Sequence, residues 1–261
     1  MILVVTFLFV SLLAYLTRVK GGSTSKRGAA YNDIATVPLL HGSGTISWAY
    51  NWAMSELNEL PFGVEFVPML WGTEFDHWVE LTESSLANGS TYLLGFNEPD
   101  MSSQSNMSPS VAATHYRNHI TYFKDRAKLV SPAVTSSIST GMGLDWLDKF
   151  MEFCFDCGIS VAAVHWYGDS ADAFKSFIHN VINFARSHEL AEVWITEFAL
   201  NADTSGVVNQ ATTEAFIESI TPWLDSQSMV TRYSYFMCAE GYLLSHGALN
   251  AAGQAYASSC G

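Results

Sequence analysis

Two glutamates of this chain each follow a short apolar segment. Glu98 comes after Tyr-Leu-Leu-Gly-Phe-Asn and is followed by Pro99, and Glu197 comes after Glu-Val-Trp-Ile-Thr. Pro99 has no backbone N–H and restricts the residue before it, so we expect Glu98 in an extended or turn conformation. If both apolar segments are strands of one parallel sheet, the two carboxylates lie at the same edge of that sheet, where they can act together.

A pair of carboxyl groups is what glycoside hydrolysis requires. One, protonated, gives its proton to the leaving oxygen, and the other attacks the anomeric carbon or activates a water molecule. A carboxyl separation of about 5–5.5 Å indicates retention through a covalent intermediate, and about 6.5–9.5 Å indicates inversion. Either glutamate by itself also fits a simpler interpretation, a carboxylate at the rim of a sheet that pairs with an arginine or faces solvent. The occurrence of both at ends of apolar segments favours catalysis.

The elements that must position the two glutamates follow a regular alternation. Helical periodicity occurs between most of the predicted strands, as in 109–124, where Ser108 can cap the first turn and Pro109 takes the first helical position, and in 171–188. Alternating strands and helices predict a parallel sheet, because a parallel connection needs a crossover. Eight such units in a chain of this length predict a single-domain α/β fold, the (β/α)8 TIM barrel, with the glutamates ending the fourth and seventh strands. The predicted strands, rich in β-branched and aromatic residues, are 28–32, 45–51, 65–70, 92–96, 129–134, 161–166, 192–196 and 232–237.

Composition narrows the class of partner. The chain has 261 residues, of which 49% are hydrophobic and 14% are charged, which is typical of one large folded core and not of disorder. Its formal net charge of -13 argues against a nucleic-acid partner, which normally needs a basic face, and solubility is the simplest reason for the acidity. A neutral polymer or a small molecule suits the chain better. We find neither a glycine-rich phosphate loop nor a His-Glu-x-x-His motif, so we expect no cofactor and no metal.

The N-terminal segment has features of an export signal. Residues 1–16 are almost wholly apolar, and Arg18 and Lys20 follow them. We predict a signal peptide over residues 1–20, because this apolar run is shorter than the about 20 residues that a membrane span needs. An uncleaved signal anchor stays open, because the positive charges follow the apolar run. Residues 21–27 form a short linker whose Lys26-Arg27 pair is either a protease-processing site or two solvated charges, and residues 28–261 form the catalytic domain.

Export determines the expected location and the state of the cysteines. We expect a monomer that is secreted or held in a cell wall, or else anchored in a secretory-pathway membrane through its N-terminal segment alone. Oxidising conditions favour disulfides, and we predict the pairs Cys154–Cys157 and Cys238–Cys260, with a redox Cys-x-x-Cys as the alternative for the first pair. Two Asn-x-Ser sequons, at Asn88 and Asn106, agree with a secretory route.

The surroundings of the glutamates resemble a known family. Asn-Glu-Pro on the fourth strand with Thr-Glu-Phe on the seventh looks like the clan A glycoside hydrolases, which are retaining (β/α)8 enzymes. Within that clan the chain resembles glycoside hydrolase family 128, whose members of known activity are chiefly β-1,3-glucanases. The resemblance covers nearly the whole chain after the predicted signal. Its motifs, in order, are Lys26-Arg-Gly-Ala-Ala-Tyr-Asn-Asp33, Trp48-Ala-Tyr-Asn-Trp52, Phe66-Val-Pro-Met-Leu-Trp-Gly72, Gly95-Phe-Asn-Glu-Pro-Asp100, Val164-His-Trp-Tyr-Gly168 and Trp194-Ile-Thr-Glu-Phe198.

The resemblance implies a role for each matching residue. Glu98 is the expected acid/base, Glu197 the nucleophile, and Asn97 a contact to the sugar 2-hydroxyl near the nucleophile. His165 and Tyr167 are expected to orient the carboxylates or to bind hydroxyls, although a histidine at that place also fits a core position. A further set of tryptophans can stack on pyranose rings or can belong to the core, and these are Trp48, Trp52, Trp71 and Trp166.

One position departs from the family pattern. The eighth strand of the family usually ends in Trp-Phe, whereas this chain has Tyr235-Phe236. Tyr235 can still stack on a sugar, so we expect a changed subsite preference and not a loss of catalysis.

The sequence therefore predicts a retaining glycoside hydrolase that cleaves β-1,3-glucan, with endo action favoured and a β-glucan polysaccharide or oligosaccharide as its partner. Two alternatives stay open. One is a non-catalytic cell-wall β-glucan-binding protein on the same barrel. The other is a β-1,4-glycanase of the same clan, because the shape of the groove determines which linkage fits.

Overall fold

Short parallel strands form two sheets in a computed structural model that describes residues 25–42 and 44–258. The first sheet has the order β1-β2-β3 and the second the order β4-β5-β6-β7-β8, so neighbouring strands follow one another along the chain. Each of the eight predicted segments overlaps one of these strands. Their bounds are β1 Gly28–Ala30, β2 Trp48–Tyr50, β3 Glu65–Phe66, β4 Tyr92–Leu93, β5 Lys128–Val130, β6 Ile159–Gly168, β7 Glu192–Leu200 and β8 Val230–Tyr235.

Isolated parallel bridges link the two sheets on both sides. Met69 pairs with Leu94 between the segments of β3 and β4, and the Leu70 amide donates to the Leu94 carbonyl at 3.1 Å. Arg27 pairs with Tyr233 between β1 and β8, and the Tyr233 amide donates to the Lys26 carbonyl at 2.9 Å. The architecture is thus an α/β fold of parallel strands in chain order.

The Lys26-Arg27 pair is part of the contact between β1 and β8. Arg27 is 3% exposed, and its guanidinium donates to the Tyr233 hydroxyl, to the Tyr256 carbonyl at 2.9 Å and to Asp225. Lys26 Nζ donates to the carbonyls of Asp225 and Gln227, each at 2.8 Å. The alternative of two solvated charges is therefore wrong, because both side chains hold the end of a helix.

Helices follow most of the strands. Helix α3 begins at Pro109 with Ser108 Oγ accepting from the Val111 amide, as predicted, and a 3-10 turn over Thr121–Phe123 follows it. No helix separates β2 from β3, because described residues 51–64 form only turns and loops. The helices are α1 Val37–His41, α2 Trp78–Ala87, α3 Pro109–His119, α4 Gly143–Phe153, α5 Ala171–Ser187, α6 Gln210–Ser226 and α7 Ala251–Ala257, and an antiparallel hairpin of β9 Leu244–Ser245 and β10 Ala248–Leu249 precedes α7.

Aromatic and charged side chains fill the interior at the amino ends of the strands. The Arg232 guanidinium lies 4.4 Å from the ring centroid of Tyr92 and 4.7 Å from that of Trp194, and it pairs with Glu65. A guanidinium over an aromatic ring is attracted by the negative face of the ring, and the attraction is stronger where water is excluded. This cluster occupies the end of the fold opposite to the predicted glutamates, and it includes Trp48.

One predicted disulfide is confirmed. Cys154 and Cys157, between α4 and β6, are bonded with their Cα atoms 5.1 Å apart. Cys238 is buried and its thiol donates to the Thr36 carbonyl, while Cys260 and the predicted signal lie outside the described residues. Within the part of the chain that the structure describes, no helix has both the length and the apolar character needed to cross a membrane.

Candidate active site

Glu98 lies in a strained turn just beyond β4. Its amide donates to the Ala133 carbonyl at 2.8 Å, and its φ of 41° places it in the left-handed region that non-glycine residues seldom adopt. Pro99 follows it and disfavours the helical region, which agrees with the predicted turn. Such backbone strain is concentrated at functional sites, where the surrounding structure holds it. Glu98 is 6% exposed.

Glu197 lies within β7 and not at its end. The strand continues three residues further to Leu200, which differs from the predicted end at Thr196, because the sequence after the glutamate is itself apolar and extends the pairing with β6. The register between β6 and β7 shifts between Val164 and His165, so that His165 pairs with Glu197. Irregularities of this kind redirect side chains near active sites.

The two glutamates are joined through His165. His165 Nδ1 lies 2.8 Å from Glu98 Oε1 and 3.4 Å from Glu197 Oε2. One atom from each of the three side chains lies within 4.8 Å of the others. The predicted pairing of the two carboxylates is thus present.

His165 is completely buried. Burial by itself lowers the pKa of the imidazole, but the charges of Glu197 and Glu98 outweigh burial and leave the pKa raised. Its Nε2 has no hydrogen-bond partner among the described residues. The trio could also hold a metal ion through one ligand atom of each side chain, but the 2.8 Å between Nδ1 and Glu98 Oε1 is an ordinary hydrogen-bond distance.

Two neutral groups donate to the nucleophile candidate. The Tyr167 hydroxyl donates to Glu197 Oε2 at 2.5 Å, and the Trp52 indole Nε1 donates to Oε1 at 2.7 Å. Burial and the charge of Glu197 raise the pKa of Tyr167 far above its ordinary value, so the hydroxyl keeps its proton and donates. Both oxygens of Glu197 are held in place, and the plane of the carboxylate is fixed.

A cavity of about 490 Å³ opens above the carboxylates. Its size is that of a small-molecule site, and its lining combines aromatic rings with hydrogen-bonding groups, as sugar recognition requires. No lysine or arginine of the described part of the chain lines it. The lining residues are Asn32, Trp52, Trp71, Asn97, Glu98, Gln104, Tyr167, Glu197, Thr204, Phe236 and Met237.

Asn97 has an unused acceptor in this cavity. Its Nδ2 donates to Gln104 Oε1 at 3.3 Å, while its Oδ1 is buried and has no partner among the described residues. A buried amide oxygen without a donor is costly, so a substrate hydroxyl at this place would be favoured. Trp71, 37% exposed, presents its ring to the same cavity.

Besides the buried His165, three aromatic residues predicted to stack on sugars do not line the cavity. Trp48 is fully buried beside Trp194 at the opposite end, and its indole donates to the Lys26 carbonyl at 3.1 Å. Trp166, 4% exposed, packs against helix side chains. Tyr235 is 1% exposed, and its hydroxyl donates to Asp203 at 3.1 Å. Trp166 and Tyr235 lie on strand faces that pack against the outer core, whereas Trp48 lies in the interior at the amino end of β2, away from the glutamates.

The remaining lining residues were not singled out from the sequence. Phe236 follows Tyr235 directly, so the period of two along a strand could have indicated that one of the pair faces the cavity. Asn32, Gln104, Thr204 and Met237 lie in loops or turns, where no local pattern reports which side chains converge.

Known proteins match nearly the whole described chain. The glycosyl hydrolase catalytic core family matches residues 28–256. Alkali-sensitive linkage protein 1 of Schizosaccharomyces pombe is 31% identical over 221 residues, which cover 82% of this chain and 39% of that protein. This chain therefore spans well under half the length of that relative.

Solved structures extend the comparison. One is a curdlan-specific exo-β-1,3-glucanase of family 128, subgroup III, from Blastomyces gilchristii, solved in complex with glucose. It is 37% identical to this chain with a TM-score of 0.83, and the match covers 90% of this chain and 99% of that one. An endo-β-1,3-glucanase of subgroup I from Amycolatopsis mediterranei, in complex with laminaripentaose, is 26% identical with a TM-score of 0.75, at 90% and 99% coverage. With paired glutamates in its cavity and these matches along its length, the chain belongs to glycoside hydrolase family 128 and contains a glycosyl hydrolase catalytic core.

Proposed function

We propose that this chain cleaves β-1,3-glucan by double displacement, with retention at the anomeric carbon. The observation that carries the proposal is the short spacing of Glu98 and Glu197, whose oxygens approach within 4.8 Å through His165. A nearest-oxygen spacing of that order supports direct attack by a carboxylate, which is the first step of a retaining mechanism. The β-1,3 linkage is supported by the glucanases that the chain resembles.

The two glutamates divide the reaction. In the first step, Glu98 gives its proton to the glycosidic oxygen while a Glu197 oxygen attacks the anomeric carbon, so the bond to the leaving sugar breaks and an ester forms. In the second step, Glu98 takes a proton from water, whose oxygen attacks the same carbon and releases Glu197. The unpaired Asn97 Oδ1 accepts a hydrogen bond from the sugar 2-hydroxyl.

The activity test compares the purified wild type with Glu98→Gln and Glu197→Gln on a soluble β-1,3-glucan of the laminarin type. The matched control is Glu218→Gln, at an exposed position of helix α6. We expect sugar release by the wild type and the control alone. Wild-type release no greater than that of the two site variants would leave the non-catalytic glucan-binding alternative. Release from β-1,4-glucan or mannan and none from β-1,3-glucan would favour the β-1,4-glycanase.

Two product measurements refine the proposal. Proton NMR of fresh products should show the β anomer first if the anomeric configuration is retained, and the α anomer first would contradict double displacement. Endo action predicts a mixture of oligosaccharide lengths early in the reaction, while exo action predicts one short product from the start. Both modes occur among the similar structures.

The eight strands form one closed (β/α)8 barrel in this proposal. The support is the pair of bridges, Met69 with Leu94 and Arg27 with Tyr233, which connect the three-stranded and five-stranded sheets on both sides. A barrel places the ends of different strands around one mouth, which suits a site assembled from β2, β4, β6 and β7. Hydrogen exchange of the bridge amides tests closure, because rapid exchange at Tyr233 and Leu94 would argue for open sheets.

Secretion as a monomer completes the proposal. The Cys154–Cys157 disulfide suits an oxidising compartment, and both sequon asparagines, Asn88 and Asn106, are exposed. The full chain, expressed in a eukaryotic host, should reach the medium with residues 1–20 removed, should lose mass on treatment with an N-glycanase, and should elute at the mass of one chain. Retention in the membrane fraction with an intact N-terminus would favour the signal anchor.

A further inference from the structure

The carboxylate of Glu197 depends on a tryptophan for one of its oxygens. Tyr167 donates to Oε2, and His165 Nδ1 lies 3.4 Å from the same oxygen, whereas the donor to Oε1 among the described residues is the Trp52 indole, at 2.7 Å. Among residues 25–42 and 44–258, no lysine or arginine lines the cavity. The indole therefore supplies a stabilising contact that a cation does not supply here.

The backbone around Trp52 is built to present the indole in this direction. Trp52 has a φ of 57°, the left-handed region, which costs free energy for a residue with a large side chain. Asn51 Oδ1 accepts from the Ala53 amide at 3.1 Å and closes the turn around it. Two residues earlier, the buried Tyr50 hydroxyl donates to the Thr196 carbonyl at 2.9 Å, so β2 is fixed to β7 beside Glu197.

Neighbouring rings hold the indole from the other side. The Phe236 ring lies edge-on to Trp52, with centroids 6.0 Å apart, and edge-on to Tyr167, with centroids 5.8 Å apart. The two donors to Glu197 thus pack against one shared phenylalanine. Rings locked by packing hold their polar atoms in a narrow range of positions, which is what orients a reacting group.

We propose that Trp52 is a positioning residue for the nucleophile, whose indole N–H fixes the orientation of Glu197 by donating to its carboxylate. This inference deepens the proposed function and rests on Glu197 being the nucleophile. A carboxylate accepts a stronger hydrogen bond than an ester does. The indole therefore stabilises Glu197 most when the carboxylate is free, which assists its departure in the second step.

The activity test removes the N–H while preserving the ring. Replacement of Trp52 by 3-benzothienylalanine exchanges the N–H for sulfur with little change of shape, and Trp52→Phe is the simpler variant. We expect kcat to fall about tenfold or more, with KM falling as well because the glycosyl ester accumulates. A purely structural role would not produce that combined fall. The control is the same replacement at Trp223 on α6, which should change neither constant.

A measurement without substrate separates this inference from the proposed function. In protein labelled with ¹⁵N-tryptophan, the Trp52 N–H resonance should move upfield in Glu197→Gln, because a neutral amide is a weaker acceptor than a carboxylate. An unmoved resonance would overturn the positioning role even in an active enzyme. A moved resonance in a protein without glucanase activity would instead locate the failure in the proposed function.

Discussion

Replacement of Arg27 by alanine should weaken the contact between β1 and β8. The Arg27 side chain is 4% exposed, and its nitrogens contact the Tyr233 hydroxyl at 2.9 Å, the Tyr256 and Ser258 carbonyls, and Asp225 at 3.2 Å. A single side chain thereby connects the start of β1 to β8 and to the ends of helices α6 and α7. No other predicted change tests the proposed barrel closure so directly.

The magnitude follows from the groups left behind. The Tyr256 carbonyl loses a buried donor, and an unsatisfied buried group costs about 1–3 kcal/mol. The Tyr233 hydroxyl loses the donor on its oxygen but still donates to Asp225 at 2.7 Å, and Asp225 is 38% exposed and can be solvated. We therefore expect a loss of about 2–4 kcal/mol in the free energy of unfolding, which corresponds to about 4–16 °C in Tm.

Differential scanning calorimetry measures this loss. Arg27→Lys should be intermediate, because a single ammonium cannot reach all of the partners that a planar guanidinium contacts. Arg117→Ala is the control, since the exposed pair of Arg117 with Asp156 is screened by solvent and should matter little. A fall in Tm for Arg27→Ala no larger than for Arg117→Ala would refute the reasoning. Trypsin should also cut the variant faster than the wild type near Lys26.

The other predictions concern single side chains. Tyr235→Phe should lower stability by about 1 kcal/mol through loss of the buried bond to Asp203, with KM for glucan unchanged; a changed KM would restore Tyr235 as a sugar contact. Because the folded-state pKa of His165 is raised, its stabilising contribution is present below the ordinary histidine pKa of about 6.5 and is lost as the pH rises through the folded value. Urea unfolding from about pH 5 to about pH 9 should therefore show a larger loss for the wild type than for His165→Gln, and equal losses would contradict the raised pKa. Reduction of Cys154–Cys157, or the double change to serine, should cost about 2 kcal/mol, because the closed loop is short; an unchanged Tm would show that the bond does not constrain the unfolded chain.

The local sequence was enough to locate the strands and to single out the two glutamates as candidates. The alternation of apolar strands with helical segments, Ser108 before Pro109, and Glu98 before Pro99 all act through neighbouring residues, so they could be predicted without the fold. The predicted end of β7 was four residues too early, because the pairing with β6 continues through the apolar residues beyond Glu197. Strand ends depend on a partner that the local sequence does not contain.

Only the tertiary structure decided which side chains share the cavity. Glu98 and His165 are 67 residues apart in the chain, and Trp52 and Glu197 are 145 apart, so their contacts exist only because the strands are brought side by side. The same packing assigned Trp48, Trp166 and Tyr235 to the core and gave Trp52 a hydrogen bond to Glu197. Residue type by itself marks an aromatic as able to stack, but its strand face and its position along the strand decide whether it meets a cavity, a helix or a carboxylate.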